Sequence, residues 1–185
     1  MKKYEINLNG KTEEYEKLTE DLILRLKTNV QKVTKISKRD RIKKSYSFDY
    51  ETPILPNEKW EKYPEKFLKE VQPLERYSKY SEIEGAKVSN KGRVQIKLKG
   101  RDWEFAEQYE YSGKEDLRIK NYPLFEEVYR MVLRTFVLEG NENEPKNLKD
   151  NQDKRQPVHH IDNNGFNNCL ENLMYIEMSD HNSIH

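Results

Sequence analysis

Cysteine is almost missing from this sequence: Cys169 stands alone among 185 residues. That excludes an intramolecular disulfide framework and a multi-cysteine zinc finger. Long apolar runs are missing as well, and nothing approaches the roughly 18 residues of a membrane span. Met1-Lys2-Lys3 leads into polar sequence rather than the apolar stretch of a signal peptide. A soluble, cytoplasmic protein with no membrane partner is the expectation. An excess of one charge is missing too: 34 Lys+Arg stand against 33 Asp+Glu, a net charge of +1. Taken alone, that balance speaks against a strongly basic nucleic-acid binder. Apolar residues make up 34% and charged residues 36%, with a mean hydropathy of −1.12. A core is possible but thin, so much of the surface must be solvated or covered by a partner. The length suits one ordinary domain or two small ones.

Histidine is scarce but not scattered. All four, His159, His160, His181 and His185, fall in the last 27 residues. The charge is not evenly spread either. Residues 25–44 hold nine basic residues against one acid, Asp40, and residues 87–101 hold six basic residues and no acid. No Lys or Arg follows Arg155, and the tail carries Asp162, Glu171, Glu177 and Asp180. A mildly acidic tail repels a polyanion unless a cation sits in it.

Periodicity divides the chain into three segments. Tyr15, Leu18, Leu22, Leu26, Val30 and Val33 recur at three or four residues, which predicts an amphipathic helix of about 20 residues. It runs into the basic stretch 32–44. Tyr46, Phe48 and Tyr50 alternate as in a short strand, and Pro53 and Pro56 mark 51–59 as a linker. Residues 58–80 read as partly helical. Val94, Ile96 and Leu98 alternate with Arg93, Gln95, Lys97 and Lys99, which predicts a half-buried strand with a basic outer face. Trp103 and Phe105, Tyr109 and Tyr111, and Leu117 and Ile119 suggest further strands, with a hairpin turn at Ser112-Gly113-Lys114. Pro123 suits a helix start, Phe125, Val128, Tyr129, Val132 and Phe136 keep helical spacing, and Gly140 suits the stop. Residues 139–156 read as a long polar loop. The expected organisation is a helical, basic region 1–55 whose charge suits phosphate contacts or a dimer, a β-rich region 56–122, and a helix with the histidine tail over 123–185.

The tail carries the chemistry. Residues 163–168 are turn-rich and must form a loop. Leu173 to Ile176 suits a short strand, and Ser179 suits a helix N-cap. The order is strand, loop, strand, helix. His181 and His185 are four apart, so they share a helix face. His159 and His160 are adjacent on an extended segment, so they point to opposite sides. One of them can join His181 and His185 around a divalent ion with an open position. The other faces a different space and can act as a general base. An ion beside a neutral imidazole fits hydrolysis of a phosphodiester. A lone histidine in a loop is usually just a polar residue, and an asparagine such as Asn172 is common in turns. Four of four histidines together, with a His-x-x-x-His pair, are harder to dismiss.

Val158-His159-His160-Ile161-Asp162, the Asn-rich loop 163–168, Glu171-Asn172-Leu173 and the closing His181 and His185 resemble the motif of HNH nucleases. Val88-Ser89-Asn90-Lys91-Gly92-Arg93-Val94 resembles the segment that precedes this motif in phage and intron-encoded homing endonucleases. Tyr129 to Phe136 is similar to the helix that leads into it. The resemblance covers roughly residues 80–185. Residues 1–79 fall outside it, the loop 139–156 is longer than usual, and Tyr175 stands where Trp is familiar.

The resemblance implies an α+β fold. A C-terminal ββα-metal (HNH) module follows a small antiparallel β-sheet and helix, with a helical N-terminal region. It implies a metal-dependent DNA endonuclease or nickase with His159 and His181 as metal ligands. His185 would be a third ligand, His160 the general base, and Asn172 the residue that holds the loop against the base-bearing strand. The ion would be Mg2+ first, with Mn2+, Zn2+ or Ni2+ also suited to a histidine-rich site. Double-stranded DNA is the expected partner of a monomer or homodimer. Lys91, Arg93, Lys97 and Lys99 on the strand, and Lys38, Arg39 and Arg41 in the basic stretch, are the expected contacts. A restriction enzyme, or a non-catalytic DNA-binding module stapled by zinc, would use the same residues.

Overall fold

A computed structural model of the chain describes residues 4–8, 11–15, 18–33, 35–71, 83–111, 113, 115–120, 126–138, 144–146 and 155–185. The fold is mixed α+β, with small antiparallel sheets and few helices. An N-terminal hairpin pairs β1 (Tyr4–Leu8) with β2 (Lys11–Tyr15). Tyr15 therefore ends a strand rather than opening the expected helix. Helix α1 runs over Glu20–Val33, 14 residues rather than about 20. Thr19 caps it: its Oγ1 accepts the Leu22 N–H at 3.3 Å. Leu22 and Leu26 are fully buried one turn apart, each burial contributing about 1.5–3 kcal/mol.

The basic stretch forms a second helix, α2 (Lys38–Lys43), capped by Ser37. Residues 46–50 do not form the expected strand. The chain turns there, so that Phe48 packs on Phe166 with ring centroids 6.2 Å apart. The Tyr50 hydroxyl accepts the Gln108 N–H at 2.7 Å. Nor is 51–59 a linker. Leu55 is buried, and the segment is tied down from inside by Arg93.

The main sheet has the order β3-β4-β5-β6, from β3 (Trp60–Lys62), β4 (Ile83–Ser89), β5 (Val94–Leu98) and β6 (Trp103–Phe105), all antiparallel. A short helix, α3 (Glu65–Val71), follows β3, and residues 72–82 lie outside the described residues. Val94, Ile96 and Leu98 face inward as the alternation predicts. Arg93 keeps the alternation, on the face of Gln95 and Phe105, with its guanidinium 4.8 Å from the Phe105 ring centroid. That face is covered here by the segment 49–58 rather than solvated. The Arg93 side chain is fully buried and ion-paired with Glu58. Nε donates to Glu58 at 2.8 Å, Nη1 to the Asp49 and Thr52 carbonyls at 2.9 and 2.6 Å, and Nη2 to the Pro53 carbonyl at 3.3 Å and to Glu58. All five guanidinium N–H donors are thereby used. Burial pushes the Glu58 carboxyl up, and the bonds from Arg93, the Leu55 N–H and Ser89, with the charge of Arg93, together more than reverse it.

A second hairpin joins β7 (Gln108–Tyr111) to β8 (Asp116–Ile119). Ser112 and Lys114 of its expected turn lie outside the described residues. Helix α4 spans Val128–Phe136 with Glu127 at its N-cap. The expected start at Pro123, Phe125 and the stop at Gly140 also lie outside the described residues. Val128, Met131, Val132 and Leu133 pack into one core with Val88, Ile96, Leu117, Phe166 and Leu173. That core spans the expected boundary at 122/123, so the strands and the tail are packed as one body. A smaller cluster joins Leu22 and Leu26 of α1 to Ile161, Met174, Ile176 and Ile184 of the tail. Arg130 and Arg134 of α4 are buried against Glu126 and Glu144, the latter inside the expected 139–156 loop.

The single thiol is part of this interior. Cys169 is 4% exposed, and burial, with Glu171 nearby, pushes it up to about 12. A thiol reacts as its thiolate. At pH 8 the folded protein is therefore expected to resist iodoacetamide and to react stoichiometrically only after unfolding in urea. Mass spectrometry checks both, and rapid alkylation of the folded chain would contradict the buried position.

Candidate metal centre

The histidine tail forms a hairpin and a short helix. β9 (Val158–His160) pairs antiparallel with β10 (Leu173–Tyr175), placing Leu173 opposite His160 and Met174 opposite His159. A 3-10 turn, Leu170–Asn172, leads into β10, and α5 (Met178–Ile184) follows it. The helix starts one residue before the expected cap. Glu177 occupies the N-cap with no side-chain capping bond, its carboxylate accepting from Gln156 Nε2 at 2.6 Å instead, and Ser179 lies inside the first turn.

Alternation along β9 sends its two histidines to opposite sides. His159 meets α5: its ring centroid lies 6.0 Å from His181 and 5.3 Å from His185, and those two are 4.6 Å apart. One ring nitrogen from each of the three lies within 4.8 Å of the others. His159 is 2% exposed, and its Nε2 is buried without a hydrogen-bond partner. An orphaned buried polar atom is destabilising unless something satisfies it. Three imidazoles with an unsatisfied nitrogen among them fit a divalent ion. Burial, with His185, His160 and His181 nearby, pushes His159 down to about 3. Burial also lowers His181 and His185. All three are thus neutral at pH 7, the state a metal requires.

His160 faces the other way. Its Nε2 lies 2.9 Å from Asn168 Oδ1, and Tyr129 packs against the ring edge-on at 5.4 Å. The tautomer that donates from Nε2 to this oxygen leaves the Nδ1 lone pair free. Burial lowers the His160 pKa, against the pull of Asn168, Asp162, Asp116 and Glu115. The imidazole is neutral at pH 7 and open to accepting a proton.

The loop between the strands is held by amide side chains. Asn172 Nδ2 donates to Asp162 Oδ1 and to the Asn167 carbonyl, both at 2.8 Å, and its Oδ1 accepts the Asp162 N–H at 2.9 Å. This ties the end of the 3-10 turn to the residues just after His160. The turn between β4 and β5 then backs the loop. A Cβ on Gly92 would meet Asn168 Cβ at 2.7 Å, and the Leu170 N–H donates to the Asn90 carbonyl at 2.8 Å. The Val88–Val94 segment thus braces the asparagine that orients His160.

Arg41, Glu115 and Asp116 join the four histidines around a cavity of about 430 Å3. Arg41 is ion-paired with Glu115, donates to the Ile36 carbonyl at 2.9 Å, and has a buried Nε without a partner. Its own carbonyl accepts from Asn164 Nδ2 at 3.0 Å. The basic stretch thus delivers a guanidinium to the histidines.

The other expected contacts are dispersed. Arg93 is buried, as described. Lys91 bonds Glu171 at 2.9 Å and is 13% exposed. Lys97 is paired with Glu84 at 3.3 Å. Lys38 is paired with Glu110, while Lys99 and Arg39 are exposed. Asn168, Tyr129, Glu115 and Asp116 were not expected at the site. Asn168 was visible only as one of several loop asparagines. Glu115 precedes and Asp116 opens β8, far away in sequence. Comparison with family models, curated proteins and solved structures finds no match for the chain.

Proposed function

We propose that the chain is a metal-dependent nuclease of the HNH type that hydrolyses phosphodiester bonds in DNA. The observation that carries this reading is the division of labour on β9. His159 meets His181 and His185 with its Nε2 unsatisfied, while His160, turned to the other side of the strand, also lines the cavity. A divalent ion held by His159, His181 and His185 would supply positive charge to the phosphate and the leaving oxygen. His160 Nδ1 takes the proton from the attacking water. Asn168, bonded to Nε2, keeps the ring in the tautomer that leaves Nδ1 free. Arg41 exchanges Glu115 for a phosphate oxygen and so orients the substrate. One such site cuts one strand per encounter. Two cuts then need a second encounter or a second copy.

The test combines metal binding and cleavage. Calorimetric titration with Zn2+ or Ni2+ is expected to give one ion per chain, and His159→Ala is expected to remove it. Chelator-treated protein is expected to leave supercoiled plasmid intact, with nicking restored by Mg2+ or Mn2+. Nicking undiminished by excess EDTA would overturn the reading. So would a chain that binds its ion, unfolds its tail on chelation and never nicks, which is the behaviour of a zinc-stapled binding module.

A further inference from the structure

The β7–β8 hairpin spends only one of its faces on the core. Leu117 and Ile119 are 0% and 3% exposed, and Gln108 is 6% exposed. The register places Tyr109 opposite Arg118 and Tyr111 opposite Asp116, so these four share the other face. Tyr109 and Tyr111 are among the exposed large side chains, at 38% and 43%. The Arg118 guanidinium lies 3.8 Å from the Tyr111 ring centroid and is held by Glu127, which stiffens one side of that ring. Asp116, opposite Tyr111, also lines the cavity that holds His160. The aromatic face therefore runs directly into the catalytic cavity.

An aromatic face of this kind has little use for an intact duplex, whose base faces are covered by their neighbours in the stack. It can gain from a base that has left the stack. We propose that Tyr109 and Tyr111, with Arg118 behind Tyr111, form a stacking site for an unpaired nucleobase flanking the cleaved phosphodiester. The site favours DNA with a single-stranded stretch at the cut. This builds on the nuclease reading, but binding can be measured without cleavage.

Fluorescence anisotropy in EDTA would compare a labelled 20-nucleotide dT oligomer with a fully paired 20-base-pair duplex. The native chain is expected to bind the single strand more tightly. Tyr109→Leu with Tyr111→Leu is expected to weaken single-strand binding about 5- to 100-fold and leave duplex binding unchanged. Tyr109→Phe with Tyr111→Phe is expected to retain it, because stacking uses the ring and not the hydroxyl. Circular dichroism establishes that each variant is folded. Equal loss on both probes, no loss on either, or failure of the phenylalanine pair to retain binding would overturn the stacking site. If no metal supports cleavage but the single-strand effect stands, the nuclease reading fails and the stacking site survives.

Discussion

Replacing His160 with alanine is expected to slow phosphodiester cleavage by about 10²- to 10⁴-fold, the usual contribution of a general base, with metal binding intact. The separation follows from the strand. His159, His181 and His185 gather on one side, while His160 is engaged by Asn168 and Tyr129 on the other. Losing the His160 imidazole removes no metal donor and no bond that Asn172 makes. Initial rates of plasmid nicking, with calorimetric metal titration in parallel, test both halves. Undiminished cutting would remove His160 from the role of base. Loss of the ion together with the rate would show that the two sides of β9 are not independent.

The second large effect is structural. Arg93→Met is expected to destabilise the fold by about 3–5 kcal/mol, the usual consequence of removing one partner from a buried ion pair. It would leave Glu58 charged in the interior without its cation, and three backbone carbonyls without their donor. Arg93→Lys is expected to fare little better, because an ammonium cannot reproduce the five-donor fork. Pairing Arg93→Met with Glu58→Leu is expected to recover part of the loss, since no lone buried charge then remains. Urea unfolding read by tryptophan fluorescence measures all three. A destabilisation under 1 kcal/mol for Arg93→Met would mean that the segment 49–58 is anchored by something other than this guanidinium.

Arg93 also shows where sequence reading reaches its limit. Alternation places Arg93 with Lys97 on one face, and its guanidinium does lie over Phe105 on that face. The segment 49–58 covers the face at that end, which no alternation can announce. Glu58, which claims the guanidinium, lies 35 residues earlier, and no local pattern announces the pairing. The same holds for Tyr46, Phe48 and Tyr50, whose spacing suits a strand until Phe166 and Gln108 recruit two of them from afar. The histidine tail is legible because its strand, loop, strand and helix are contiguous, so one short stretch carries nearly the whole geometry. The first hairpin could have been found. Asn9-Gly10 after the alternating run Tyr4-Glu5-Ile6-Asn7-Leu8 is a hairpin signal, and Thr19 before Glu20 marks the helix start.

Leu22 and Leu26 lie against Ile161, Met174, Ile176 and Ile184, and Asn29 Nδ2 donates to the Ile161 carbonyl at 2.9 Å. The histidine-bearing tail is therefore not a portable cassette. Spliced onto another protein without residues 18–47, it would carry a sticky aliphatic patch beside α5 and lack the guanidinium of Arg41. Recombination that preserves this site must carry both ends of the chain together.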